Sequence, residues 1–93
     1  MASAVYDDFL SSEQWRQRRD KYIADHASCA ACGATRRLHV HHVSYRRLGR
    51  ELDSDLLTLC HVCHTEVHRL HRQWVEMTLR EATLTVLYRQ RAA

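Results

Sequence analysis

The chain has 93 residues, 45% of them hydrophobic and 27% charged, with two glycines, no proline and a formal net charge of +3. That composition excludes collagen-like and disordered chains. No run of about 18 apolar residues is present to span a membrane, and an N-terminus with Asp7 and Asp8 but no basic cluster lacks a signal-peptide layout. The expectation is one domain over residues 1–93 of a soluble intracellular protein, with a core too small to be more than marginally stabilising without a staple.

Charge is unevenly placed. Residues 1–50 hold nine Lys/Arg against five Asp/Glu, and residues 51–93 hold five against six. Arg16, Arg18, Arg19 and Lys21 cluster early, and Arg36, Arg37, Arg46, Arg47 and Arg50 flank a His41-His42 doublet. That distribution suits a polyanion, although an ordinary solvated surface has the same composition.

In chain order, Ser11 and Gln14 stand at capping-box spacing, and Trp15, Tyr22 and Ile23 share one helical face. An amphipathic helix is expected over residues 12 to about 26, its apolar face covering a metal lobe. Cys29-Ala30-Ala31-Cys32-Gly33 reads as a tight knuckle in which Gly33 takes positive φ. Leu38-His39-Val40-His41 alternates like a strand, burying Leu38 and Val40 and turning His39 and His41 to the other side. Residues 44–54 form a polar connection, followed by the apolar run 56–59 and a second knuckle, Cys60-x2-Cys63. From Cys63 the apolar spacing of Val67, Leu70, Trp74 and Met77 predicts a helix to about residue 81, with Trp15, Tyr22 and Trp74 in the core. Periodicity does not decide between helix and strand for residues 83–88.

The paired CxxC motifs carry the first chemical argument. Four thiolates at this spacing suit a closed, structural zinc site, the bland alternative being free or redox-active thiols. Histidine carries the second, since six of the eight fall between His39 and His68. His64 and His68 sit at i and i+4, one turn apart on a helix, which lets two imidazoles grip one cation. With His41 from the strand, three ligands leave positions open for water and phosphate. His42 is then free to act as a base, since neutral imidazole titrates near pH ~6.5. The bland alternative is a set of structural histidines or a mixed Cys/His zinc site. An open metal beside a free imidazole among arginines suits phosphodiester hydrolysis.

Residues 29–68, and more loosely 6–68, resemble the HNH endonuclease family. The resemblance rests on Cys29-x2-Cys32-Gly33, Leu38-x-Val40-His41-His42, Tyr45-x-Arg47-x-Gly49-x-Glu51 and Asp55-Leu56-x2-Leu59-Cys60-x2-Cys63-His64-x3-His68. Upstream, Tyr6-x2-Phe9-Leu10-x-Ser12-x2-Trp15-x3-Arg19 resembles the leader of small stand-alone members from phage and bacterial genomes. The resemblance implies an α+β fold: a ββα-metal (His-Me finger) core over about residues 27–72, stapled by the four-cysteine zinc site. An N-terminal helix and a C-terminal helical extension over about residues 73–93 flank it. It implies His41, His64 and His68 as ligands of a divalent cation (Mg²⁺, Mn²⁺, Ni²⁺ or Zn²⁺), and His42 as general base. Asp55 stands where the family has its central Asn; counted with His41 and His42 in the catalytic set, it ties the loop by accepting backbone hydrogen bonds. Glu51 is expected to orient the loop or a nearby imidazole, and His39 to support the ligands or meet phosphate. Arg46, Arg47 and Arg50 are the expected phosphate contacts, ahead of the first-helix arginines.

The expected activity is nicking of double-stranded DNA with little sequence preference. The chain would act as a monomer or weak homodimer in the cytoplasm of a bacterial or phage-infected cell, with a packaging or mobile-element partner and no membrane. The rival reading is a non-catalytic, zinc-stabilised module that binds nucleic acid or docks onto a larger machine.

Overall fold

Two short strands meet as an antiparallel hairpin in the computed structural model, which describes residues 4–92. Strand β1 (Leu38–His42) pairs with β2 (Leu56–Cys60) so that Leu38 faces Cys60 and His42 faces Leu56. The loop between them closes through the Val43 N–H on the Asp55 carbonyl at 2.8 Å and a single 3₁₀ turn at Asp53–Asp55. Helix α3 (His61–Gln73) follows β2 without a linker, completing a ββα unit.

Helices α1 (Ala4–Leu10) and α2 (Glu13–Asp25) precede the knuckle. The cap of α2 is Ser12 rather than Ser11: its Oγ accepts the Trp15 N–H at 3.1 Å. Gln14, the expected partner in a capping box, reaches instead to the Gly49 carbonyl at 2.8 Å. Trp15 and Tyr22 are buried as their spacing predicts, but they pack with Val40 and Leu56. The apolar face of α2 therefore covers the hairpin and not the cysteine lobe, and the Tyr22 hydroxyl donates to the Leu56 carbonyl at 3.2 Å.

A second core joins the cysteines to the C-terminal half, through Leu59, Val67, Leu70, Leu79, Ala82 and Val86. Leu59 and Val67 are fully buried, each worth about 1.5–3 kcal/mol of transfer free energy. Here the helix expected to run from Cys63 to about residue 81 divides in two. Helix α3 starts two residues earlier and stops at Gln73, and α4 spans Leu79–Ala92, so residues 83–88 are helical. The break has a local cause. Thr78 and Glu81 form a reciprocal cap, with the Thr78 N–H on Glu81 Oε1 at 2.8 Å and the Glu81 N–H on Thr78 Oγ1 at 3.0 Å. That Thr-x-x-Glu signal is legible in the sequence and marks a new helix start inside the apolar repeat. Trp74, expected in the core, lies in the turn and is 54% exposed. Leu79, Ala82 and Val86 take over the burial by folding α4 against α3. No helix among the described residues is long and apolar enough to cross a membrane.

Candidate active site and metal centres

The two CxxC pairs converge on one site. Cys29 and Cys32 sit in the knuckle before β1, Cys60 ends β2, and Cys63 lies in the first turn of α3. The four Sγ atoms lie within 4.8 Å of one another, with Cys32 and Cys60 3.7 Å apart. A tetrahedral zinc with Zn–S near 2.3 Å has an S···S edge of about 3.8 Å. The donor set thus fits zinc in type, number and spacing. Gly33 does adopt φ +83, and its N–H closes the knuckle on the Cys29 carbonyl at 2.8 Å. Burial pushes the Cys29 thiol up, but backbone N–H groups of Cys32, Cys60 and Ala31 outweigh it and bring the thiol down to about 7, whereas burial and the neighbouring thiols push Cys63 up.

A second donor cluster is built on β1 and α3. His41 from β1 meets His64 and His68 from α3, ring centroids 5.1 and 5.4 Å away. The His64 and His68 Nε2 atoms are 3.2 Å apart, close to the roughly 3.3 Å edge of a tetrahedral site with metal–nitrogen bonds of 2.0–2.1 Å. Burial, reinforced by the neighbouring imidazoles, lowers His41 to about 3 and His64 to about 4. Burial also lowers His68, helped by Arg72 and His71. All three rings are therefore neutral near pH 7 and offer lone pairs rather than charge.

His42 points to the opposite face of β1, as alternation requires. Its ring packs 4.5 Å from Trp15 and 5.5 Å from Tyr45, and Nε2 meets Glu51 Oε2 at 2.9 Å. The pair is nearly closed to solvent, with side chains 3% and 2% exposed. Burial alone would raise the Glu51 carboxyl, but His42 and the backbone N–H groups of Glu51 and Gly49 together hold it below its ordinary value. Glu51 is thus a carboxylate, which only accepts, so Nε2 of His42 carries the proton and Nδ1 the lone pair.

Residues 29–70 match the family model of HNH endonucleases. This segment is similar to an HNH domain. No curated protein matches the chain closely. The match points to nuclease-type function and a nucleic-acid substrate.

Within the matched segment, Asp55 ties the loop between the strands. It is fully buried, it accepts the Arg47 guanidinium through Nε at 2.8 Å and Nη2 at 2.6 Å, and it takes the Leu52 N–H at 3.0 Å. It braces the loop and is not among the residues that line the groove between α2 and α3. The Arg47 hydrogen bonds hold its carboxyl below the ordinary range against the opposing effect of burial. The sign follows: a depressed carboxyl contributes stability that is fully present above its unfolded value near 3.9 and is lost as pH falls through the lower folded value. Asp55→Ala leaves Arg47 and the Leu52 N–H without their partner. It is expected to cost about 2 kcal/mol and to remove part of the acid dependence of stability below about pH 4, both read from urea melts at a series of pH values.

A groove runs between α2 and α3, with His41, His42, His64 and His68 among its lining residues and Arg19 and Arg72 contributed by the two helices. The loop arginines expected to meet phosphate lie elsewhere. Arg47 is engaged by Asp55, and Arg46 and Arg50 are exposed, Arg50 bordering a separate cleft with Arg18 and Lys21. Among the described residues it is Arg19, from the first-helix set, and Arg72 that line the groove. His39 is exposed on the same side as His41, its ring stacked 5.1 Å from His64. Thr83 of α4, which no sequence signal singles out, meets His41 Nε2 at 2.9 Å.

Proposed function

We propose that the protein is a metal-dependent endonuclease that hydrolyses DNA phosphodiester bonds, with His42 as general base beside a divalent cation held by His41, His64 and His68. The observation that carries this reading is the division of labour across β1. His41 turns its imidazole to two helix histidines, while His42, one residue on, turns to a buried carboxylate. A cation held by His41, His64 and His68 would draw charge from the phosphodiester and from the departing oxygen.

The rest is done by side chains. Water lodged in the groove gives its proton to Nδ1 of His42 as its oxygen attacks phosphorus in line. Glu51, hydrogen-bonded to Nε2, orients the ring and steadies the imidazolium that results, while Trp15 packs against it. The P–O bond to the 3′ oxygen breaks, leaving 5′-phosphate and 3′-hydroxyl ends. Arg19 and Arg72 flank the histidines and supply sequence-independent attraction to the backbone. One ββα unit attacks one strand, so a nick is the product of a single event.

The test is conversion of supercoiled plasmid to open circle with Mg²⁺, Mn²⁺ or Ni²⁺ added and with EDTA as control. DNA binding without cutting under every metal would favour the docking-module reading. Arg72→Ala is expected to weaken binding to DNA of any sequence about equally and to lower the slope of log affinity against log salt by about 1. Fluorescence anisotropy across a salt series measures it, and an unchanged slope would take Arg72 out of the interface.

A further inference from the structure

Helix α4 lies beyond the segment 29–70 matched by the HNH family, yet it delivers one polar side chain to the imidazole cluster. Thr83 is 1% exposed. Its Oγ1 lies 2.8 Å from the Leu79 carbonyl oxygen and 2.9 Å from Nε2 of His41. A hydroxyl has one proton. The Leu79 carbonyl can only accept, so it takes that proton, in the back-bond that Thr commonly makes to the residue four before it in a helix. Toward His41 the same oxygen can therefore only accept. Nε2 of His41 must carry the hydrogen, and a neutral imidazole then has its lone pair on Nδ1. His41 is 1% exposed, so no solvent water competes for the bond.

The placement is held from both ends of the helix. Ala82 and Val86, on either side of Thr83, are buried in one core with Val67 and Leu70 of α3. Near the C-terminus of α4, Arg91 donates to the Ala30 carbonyl in the cysteine knuckle at 3.1 Å.

We propose that Thr83 is a positioning residue, which fixes His41 as its Nε2–H tautomer and so commits Nδ1 to the cation shared with His64 and His68. The proposal rests on the reading of those three histidines as ligands, but the tautomer itself belongs to the metal-free chain. Partners that hold the far nitrogen of a ligand imidazole commonly raise metal affinity by roughly 10–100-fold. By this assignment the C-terminal extension is part of the metal centre, and the ββα unit alone lacks one of its supports.

The experiment uses the full chain with its zinc retained and the labile cation removed by a mild chelator. Long-range ¹H–¹⁵N correlation spectra at neutral pH report the His41 tautomer, and calorimetric titration with Ni²⁺ reports affinity. The wild type is expected to show Nε2–H. Thr83→Val, of the same shape but without an acceptor, is expected to lose that preference and bind Ni²⁺ roughly 10–100-fold more weakly, while Thr83→Ser keeps both near wild type. An Nδ1–H tautomer in the wild type overturns the proposal. So does a folded Thr83→Val protein that binds Ni²⁺ as tightly as wild type, or a wild type that binds no Ni²⁺. If Thr83→Val does not fold, the wild-type tautomer together with Thr83→Ser decides: Nε2–H with retained affinity supports the assignment, and loss of either overturns it. A Thr83-dependent Ni²⁺ site in a protein that never cuts plasmid would remove the nuclease reading and leave this one standing.

Discussion

Replacing His42 by alanine is expected to slow nicking of supercoiled plasmid by about 10²–10⁴-fold, the usual contribution of a general base, while affinity for DNA stays close to wild type. The two readouts separate because His42, though it lines the groove, is only 4% exposed and makes its polar bond to Glu51 rather than to solvent. The same burial means that His42→Ala opens a void beside Trp15 and leaves Glu51 without its imidazole, so thermal melts must accompany the rates. Glu51→Gln provides the second variant. It keeps the shape but exchanges a charge-assisted hydrogen bond, worth about 1.5–3 kcal/mol, for a neutral one worth about 0.5–1.5 kcal/mol, and at 1.4 kcal/mol per decade the difference of about 1–1.5 kcal/mol predicts a loss of roughly 5–10-fold. Undiminished cutting by a folded His42→Ala protein would end the assignment of that residue to the chemistry.

Loss of zinc is the second large effect. Structural zinc in small sites contributes about 10–16 kcal/mol of apparent binding free energy, whereas a whole domain is stable by only about 5–15 kcal/mol. Cys63 is 2% exposed and its sulfur sits in the same core as Leu59 and Val67. Cys63→Ser, or wild type stripped by a strong chelator, is therefore expected to lose its helical circular dichroism and its cooperative melt together. A mild chelator that removes only the more weakly held cation should leave the spectrum native and abolish cutting. Native circular dichroism in a preparation verified as free of zinc would sink the claim that the four cysteines hold the fold together.

Arg47 and Trp74 show where reading along the chain stops working. Arg47 has the composition of a phosphate contact, but a carboxylate eight residues away captures it in a bidentate fork, and Asp55 is buried only once the hairpin has closed. Trp74 continues the apolar spacing of α3, but the Thr78–Glu81 cap starts a new helix and its residues fill the core in place of Trp74. Arg19 lines the groove although the loop arginines carry the same charge, because charge alone does not say which wall of a groove a helix will form.

What the sequence by itself determined is everything held at short range. Cys29-x2-Cys32-Gly33 sets a knuckle because three residues span one thiolate turn, His64-x3-His68 sets two imidazoles one helical turn apart, and His41-His42 divides between two faces because strand side chains alternate. What only the tertiary structure decided is which group answers each of these side chains from afar. Thr83 reaches His41 from 42 positions away, and Glu51 reaches His42 across a loop. Arg19 and Arg72 come to one groove from helices on either side of the hairpin. Local spacing is written in the covalent chain and its two backbone periods, but a contact between distant segments exists only after their apolar faces have docked, and no spacing in the sequence encodes that docking.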